Sequence, residues 1–206
     1  MYRSLVFGLI STFSIASNAA VITESESFSP VLVVDGSSAT TSLTVSNTGL
    51  ATDVNVWVDF SKCDLMNSAG DCTRFGSSFL SEIVFSLTNP FGDIVQLVNS
   101  GNYSGNTNVD HIVATFDDDA ATGVSGTPVT GSFQPFGLLA DFNGLSILGD
   151  WTLTFRDTVG LDPLSVNAWG LEITTAEAES VPEPASIALL GLGLAGMSLA
   201  RKKKTA

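Results

Sequence analysis

The stretch WTLTF, residues 151–155, alternates large apolar side chains with threonines. In an extended chain Trp151, Leu153 and Phe155 point to one face, and Thr152 and Thr154 point to the other. This alternation is typical of a strand in a sheet that buries one face and leaves the other polar.

Seven further short segments show such alternation or runs of β-branched residues: residues 31–34, 42–46, 54–60, 83–87, 94–98, 112–116 and 169–174. No segment of helical period and useful length occurs outside the two chain ends. Eight strands within about 150 residues predict an all-β fold, an antiparallel jelly-roll-like β-sandwich that covers residues 20–177.

The connections between these segments contain turn residues. In SLTNPFGDIVQL, Asn89-Pro90 and Gly92-Asp93 separate two strands and predict a hairpin, because Pro presets φ and Gly supplies φ > 0. The stretch TGVSGTPVTGSFQPFG has little periodicity and predicts a long irregular connection within the domain.

The charge distribution excludes one class of partner. The net charge is −13, but residues 20–180 contain three basic and 20 acidic side chains, a formal charge of −17. Such a surface repels phosphate backbones, so nucleic-acid binding is not expected. It suits divalent cations or the solvation of an exported protein.

Residues 1–19 have the organisation of a secretory signal peptide. Arg3 precedes an apolar stretch over residues 5–15, and small residues at Ser17 and Ala19 favour cleavage after Ala19. The alternative, a first transmembrane helix, requires a longer apolar stretch and a charged stop-transfer segment.

Cys63 and Cys72 are the only cysteines, and they lie nine positions apart in KCDLMNSAGDC. In an exported chain this pair favours a disulfide that closes a small loop. Metal ligation is the weaker alternative, because two thiolates without a nearby histidine make a poor zinc site.

The order of several motifs is distinctive: FSLTNPFGDIVQLV, ATFDDDA, TGSFQPFGLLADFNG, GDWTLTFRDTVGLD and NAWGLEI. Together they resemble the P domain (P/Homo B domain), the β-sandwich that follows the catalytic domain in many subtilisin-like proprotein convertases and bacterial proteases. The resemblance spans about residues 83–174. It implies a module that binds or stabilises a secreted protease, whose catalytic triad lies in another domain.

Catalysis by this chain itself is not expected. His111 is the only histidine, in a segment resembling a strand entrance, and no Gly-x-Ser-x-Gly nucleophile motif is present. We interpret His111 as a partly exposed structural residue.

Two features suggest ligands. Asp117, Asp118 and Asp119 are consecutive and offer oxygen ligands for Ca²⁺, the alternative being a solvated acidic loop; calcium sites known in P domains and related jelly rolls favour the ion by resemblance. Trp57 points away from Val54, Val56 and Val58. It is either a stacking platform for sugars, as in a calcium-dependent carbohydrate-binding module, or a buried residue, and burial is favoured.

The C-terminus differs from the rest of the chain. Residues 185–200 are apolar or small and predict a transmembrane helix, although they are few for a full span. The basic residues that follow, Arg201, Lys202, Lys203 and Lys204 within residues 201–206, would stay in the cytoplasm and place the globular domain outside.

Val181, Pro182, Glu183 and Pro184 lie in the linker 178–184, before the apolar segment and the basic cluster. This order resembles the PEP-CTERM sorting signal of Gram-negative bacteria that make exopolysaccharide. The resemblance implies recognition by the membrane protease exosortase, removal of the helix, and transfer to the cell surface or extracellular matrix. The two prolines disfavour helix and keep the segment extended.

These features together predict an exported, non-catalytic surface or matrix protein that acts as a binding or structural module. The expected partners are an exosortase-type protease and the membrane, with a polysaccharide or a secreted protease as ligand. Apart from Ca²⁺ at the acidic run, no cofactor is expected.

Overall fold

The computed structural model describes residues 19–74 and 76–176. This part of the chain contains nine β-strands and two short 3₁₀ helices, Leu80–Glu82 and Leu139–Phe142. The strands are β1 (Ala20–Val34), β2 (Ser38–Val45), β3 (Leu50–Lys62), β4 (Ile83–Thr88), β5 (Ile94–Val98), β6 (Val109–Phe116), β7 (Gly131–Phe133), β8 (Gly149–Asp157) and β9 (Leu164–Ala176).

The strands form two sheets that pack as a β-sandwich. The first sheet has the order β1-β9-β3-β6-β7 and the second the order β2-β8-β4-β5. Every neighbouring pair is antiparallel except β6 and β7, which are parallel. The prediction of a two-sheet β fold is confirmed, and its wholly antiparallel character is corrected by this pair.

Alternation decides which side chains enter the core. In β8, Trp151, Leu153 and Phe155 are buried while the two threonines between them are partly exposed. Trp169 and Leu171 of β9 are buried in the same way. The predicted inward faces of both strands are therefore confirmed.

Aromatic contacts join the two layers. Phe60 of the first sheet meets Phe85 of the second, with ring centroids 5.2 Å apart in an edge-to-face arrangement. Phe142 of the second 3₁₀ helix packs against Trp151 of β8, with ring centroids 5.2 Å apart and an angle of 89° between the ring planes. Such pairs contribute about 0.5–1.5 kcal/mol beyond the apolar area that they bury.

The sequence pattern missed two elements. The first half of β1 is rich in Ser, Thr and Glu because β1 is an edge strand, paired with β9 alone, and its side chains are largely solvated. β7 lies within the stretch predicted as irregular and is only three residues long. Short or exposed strands place few side chains in the core, so hydrophobic patterning does not reveal them.

The predicted hairpin joins β4 to β5. Asn89 Oδ1 accepts hydrogen bonds from the backbone N–H groups of Phe91 and Asp93, each at 2.9 Å. Gly92 adopts φ +92°, which side chains disfavour. The turn chemistry read from the sequence is therefore the chemistry that closes the hairpin.

The two chain ends are outside this description. The predicted signal peptide, the Pro-Glu-Pro segment, the predicted helix 185–200 and the basic tail lie in residues that the structure does not describe, except Ala19. Within residues 19–74 and 76–176, no helix has the length and apolarity needed to span a bilayer.

Cys63 and Cys72 form the predicted disulfide, with Cα atoms 5.5 Å apart. Cys63 directly follows β3, so the bond fixes the far end of the loop to the end of a central strand. Closing a loop of this size restricts the unfolded chain.

Replacing both cysteines by alanine should lower the free energy of unfolding by about 2–3 kcal/mol, because the freed loop has about ten residues. Urea denaturation of the oxidised protein and the Cys63→Ala/Cys72→Ala variant measures this difference. Reducing the wild type should reproduce the loss and leave the variant unchanged. Equal stability of all forms would contradict the structural role of the bond.

Candidate functional site

A buried lysine lies where the two sheets meet at one end. Lys62, the last residue of β3, has a fully buried side chain. Its Nζ is 3.2 Å from Glu82 Oε2, 2.9 Å from Asp157 Oδ2 and 3.3 Å from Asp162 Oδ1. It also donates a hydrogen bond to the backbone carbonyl of Asp162. We call these four residues the Lys62 cluster.

The Lys62 cluster connects segments that are distant in sequence. Lys62 belongs to the first sheet, Asp157 ends β8 of the second sheet, and Glu82 immediately precedes β4. Asp162 lies in the connection from β8 to β9 and accepts the backbone N–H of Phe79. Removing one partner of a buried ion pair typically costs about 3–5 kcal/mol, so the cluster fixes the arrangement of four segments.

The cluster contains more negative than positive groups. Burial raises the pKa of Glu82, the charges of Asp162 and Asp157 raise it further, and Lys62 opposes both. Burial likewise raises the pKa of Asp157, with a further contribution from the charge of Asp162. The three carboxylates have the spacing of a cation site, but the Lys62 ammonium already lies among them.

A second cluster surrounds the only histidine, on β6. His111 Nε2 is 3.1 Å from Asp71 Oδ1, and Nδ1 is 3.4 Å from Asp59 Oδ1 and 3.2 Å from Asn167 Nδ2. The His111 side chain is 42% exposed. The prediction of a partly exposed histidine is confirmed, and the structure adds two carboxylates beside its ring.

Asn167 of β9 organises the base of this histidine cluster. Its Oδ1 accepts from Ser165 Oγ at 3.0 Å, and its Nδ2 donates to Asp59 Oδ1 at 3.0 Å and to Ser61 Oγ at 3.3 Å. Ser61 Oγ in turn donates to Asp110 Oδ1 at 3.3 Å. The buried amide therefore links β9 to β3, and Ser61 extends the network to Asp110 of β6.

The surrounding charges change the proton affinity of the cluster. Burial lowers the pKa of His111, but the hydrogen bond to Asp71 and the charges of Asp59 and Asp110 outweigh it, so this pKa lies above its usual value. Hydrogen bonds from Asn67 and then from His111 lower the pKa of Asp71. The neighbouring carboxylates therefore favour the protonated, positively charged form of the His111 ring.

A pocket of about 400 Å³ opens beside this cluster. Asp110 belongs to both the pocket and the cluster, and the lining residue Arg74 forms an ion pair with Asp64 at 3.1 Å. The lining residues are Cys72, Thr73, Arg74, Gly76, Thr107, Asn108 and Asp110.

Trp57 lies on the outer face of the first sheet, opposite the core. Its side chain is half-buried, and in the pairing of β3 with β9 it lies opposite Gly170. A Cβ atom at Gly170 would be only 2.5 Å from Trp57 Nε1, so the indole lies over this glycine. Trp57 is therefore not a core residue, and the favoured expectation of burial holds only in part. Polar residues share this face: Asn55 of the same strand, Glu172 of β9 and Thr115 of β6.

The acidic run at the end of β6 does not converge on one point. Asp118 accepts backbone N–H groups from Leu139 at 3.1 Å and Ala140 at 2.7 Å. Asp117 Oδ1 accepts the backbone N–H of Asp119 at 2.8 Å. In the described residues the three carboxylates are not within 4.8 Å of one another as a group.

Asp53 of β3 extends this acidic region. Burial raises the pKa of Asp53, and the charges of Asp117 and Asp119 raise it further. Asn55 Nδ2 donates to Asp53 Oδ2 at 3.0 Å and partly offsets the effect. A divalent cation would relieve this repulsion, so Ca²⁺ binding at Asp117–Asp119 stays a prediction.

Sequence reasoning did not find the Lys62 cluster or the partners of His111. Lys62 is one of only three basic residues in 20–180, and it lies two positions beyond the predicted strand 54–60. Its three partners lie 20 to 100 positions away, and only strand pairing brings them together.

The comparisons with known proteins give one sequence match. The family model of the PEP-CTERM protein-sorting motif matches residues 180–204. This confirms the motif predicted around Pro182 and Pro184, and it indicates an exported protein that is sorted to the cell surface. No match was found among curated protein sequences.

The chain has distant similarity to several solved structures. The chain is similar to the complex of a serine protease of Aeromonas sobria with a chaperone, at 15% identity and a TM-score of 0.47, covering 78% of this chain and 28% of that one. It is also similar to FlhE, at 8% identity and a TM-score of 0.40. That match covers 77% of this chain and 98% of FlhE. The chain thus spans less than a third of the Aeromonas protein.

The Lys62 cluster should make stability depend on pH. The unfolded pKa values of Glu82 and Asp157 are 4.5 and 3.8, and the folded values are higher. Their contribution to stability is therefore complete below the unfolded values and is lost as pH rises through the folded ones. Glu82→Gln should therefore lose less stability than the wild type as the pH rises from 4.5 towards neutral pH.

Thermal unfolding across this pH range measures the difference. Glu172→Gln, which makes the same chemical change at an exposed position, is the matched control and should keep the wild-type slope. An unchanged slope for Glu82→Gln would contradict the proton uptake by the cluster.

Proposed function

We propose that this chain is an exported, non-catalytic binding module of P-domain type, tethered by residues 185–200 during sorting by exosortase and then displayed or released. The sorting motif at 180–204 supports export and sorting. The disulfide supports a location outside the reducing cytoplasm, where such bonds persist.

The histidine cluster supports a non-catalytic role. A nucleophile needs a base within hydrogen-bond reach, yet the ring nitrogens of His111 contact Asp71, Asp59 and Asn167. Ser61 is buried and meets His111 only through the backbone N–H of His111, at 3.0 Å. This hydroxyl is therefore not placed as an activated nucleophile.

The observation that carries the binding role is Trp57 over Gly170. Since Gly170 has no side chain, the indole lies against the sheet and presents a flat apolar surface among polar neighbours. Sugar rings combine C–H faces with hydroxyl groups, so an aromatic ring beside Asn55 and Glu172 matches both parts. The formal charge of −17 on residues 20–180 disfavours anionic polymers. We therefore propose a neutral polysaccharide as the ligand.

An accessory domain for a secreted subtilisin-like protease is the second candidate. The P-domain motifs favour it, because they fall on strands of both sheets: β4, β5 and β8 in the second sheet, and β6, β7 and β9 in the first. In this case the protein should bind the protease and leave polysaccharide free.

Trp57→Ala should weaken binding to neutral exopolysaccharide about fivefold, because loss of an aromatic contact costs on the order of 1 kcal/mol. Affinity electrophoresis in gels containing polysaccharide from the native host measures the change. Gly170→Ala should weaken binding too, since the new methyl group displaces the indole.

Phe91→Ala is the matched control, because Phe91 is an exposed aromatic residue at the β4–β5 turn, outside the first sheet. It should bind like the wild type. Equal retention of Trp57→Ala and the wild type would refute the sugar platform. Binding to a protease alone would favour the second candidate.

Export and tail removal can be tested by intact mass spectrometry of the envelope and culture supernatant. We expect a supernatant species that begins near Ala20, ends within residues 181–184 and is about two daltons lighter than its reduced form. A species retaining Arg201 to Lys204 in the membrane alone would contradict processing by a sorting protease.

A further inference from the structure

Three metal-ligating side chains converge at the edge of the pocket: Asp71, Asp110 and His111. One ligand atom from each lies within 4.8 Å of the others, and all three residues are exposed. We propose that they bind a divalent transition-metal ion, Zn²⁺ in the first place.

The donor set determines the class of ion. One imidazole nitrogen and two carboxylate oxygens are ligands that Zn²⁺ accepts, whereas Ca²⁺ and Mg²⁺ prefer oxygen alone. Zn²⁺ takes four ligands, so three protein donors leave one position for water or for a group entering the pocket beside Asp110.

The backbone of β6 departs from regular geometry to bring two of the donors together. Asp110 and His111 are consecutive, and in a regular strand their side chains would point to opposite faces. Phe60 pairs with Ile112 and Lys62 with Val109, so Ser61 stands opposite two residues. This is a β-bulge, in which His111 has φ +48°. Bulges re-aim side chains and are frequent next to functional sites.

The third donor is held by the disulfide loop. Asp71 precedes Cys72, which is bonded to Cys63 at the end of β3. Asn67 Nδ2 donates to Asp71 Oδ2 at 2.8 Å, so one oxygen is fixed and Oδ1 faces His111.

The remaining nitrogen of His111 has the partner that a metal-bound histidine requires. A metal on Nε2 places the hydrogen on Nδ1, which then donates to Asp59 Oδ1 at 3.4 Å. Asp59 is itself fixed by Asn167 Nδ2 at 3.0 Å, and Asn167 by Ser165. Such carboxylate–histidine pairs orient the ligand and increase its basicity.

Both ring nitrogens of His111 also have hydrogen-bond partners without a metal ion. Asn167 Nδ2, 3.2 Å from Nδ1, can donate to it by turning one of its two hydrogens away from Ser61 Oγ, and Nε2–H then donates to Asp71 Oδ1. The two tautomers use the same side-chain positions, so binding requires a shift of one proton within the ring rather than a rearrangement.

The local charge also favours a cation. Asp59, Asp71 and Asp110 surround one imidazole, and within the described residues neither Lys62 nor Arg74 forms an ion pair with any of them. This contrasts with the Lys62 cluster, where an ammonium group already lies among the carboxylates.

The experiment uses the full chain in detergent, carrying a tag without histidine and stripped of metal by a chelator. Calorimetric titration with Zn²⁺ should show one site, and Asp71→Asn and His111→Gln should each weaken it at least about tenfold. Asp141→Asn, the same change at an exposed carboxylate of the 3₁₀ helix Leu139–Phe142, is the control and should bind like the wild type.

A second measurement on the unmodified protein covers the case in which a variant does not fold. His111 is the only histidine, so its imidazole resonances report on one residue. Zn²⁺ should shift them at a ratio of one ion per chain, and Ca²⁺ should not. Absence of Zn²⁺ binding, binding that leaves these resonances unmoved, or equal affinity of folded His111→Gln would overturn the proposal.

Discussion

The ammonium group of Lys62 among three carboxylates is the constraint on which the rest of the domain depends. It joins the end of β3 in one sheet to the end of β8 in the other, and to the segments that lead into β4 and β9. Cys63 follows Lys62 directly, so the disulfide loop starts from this fixed point. The pocket and the histidine cluster are therefore built outward from a buried ion pair, whose geometry resists slippage of one sheet against the other.

The parts of the fold that the sequence predicted are those whose signal is local. Alternation in β8 and β9 predicted strands with the correct inward faces, and the Asn-Pro and Gly-Asp pairs predicted the β4–β5 hairpin. The polar half of β1 and the short β7 have no such signal. For the candidate sites the limit is distance along the chain. His111 and Asp71 are 40 positions apart, and the bulge at residues 110–111 depends on pairing with β3.

The acidic side chains of the domain have several separate structural roles. Glu82, Asp157 and Asp162 neutralise a buried lysine, and Asp118 accepts the first N–H groups of a 3₁₀ helix. Asp59 and Asp71 hold a histidine ring between them. A formal net charge therefore says little about ligands until the carboxylates with protein partners are separated from those facing solvent.

The disulfide also sets an order of events. Asp71 stands beside His111 because Cys72 is bonded to Cys63, and cytoplasmic thiols remain reduced. The newly made chain in the cytoplasm therefore has His111 but lacks the disulfide that fixes Asp71 beside it. The complete cluster exists only after oxidation on the far side of the membrane. The zinc site proposed above is thus expected to form only in the exported protein.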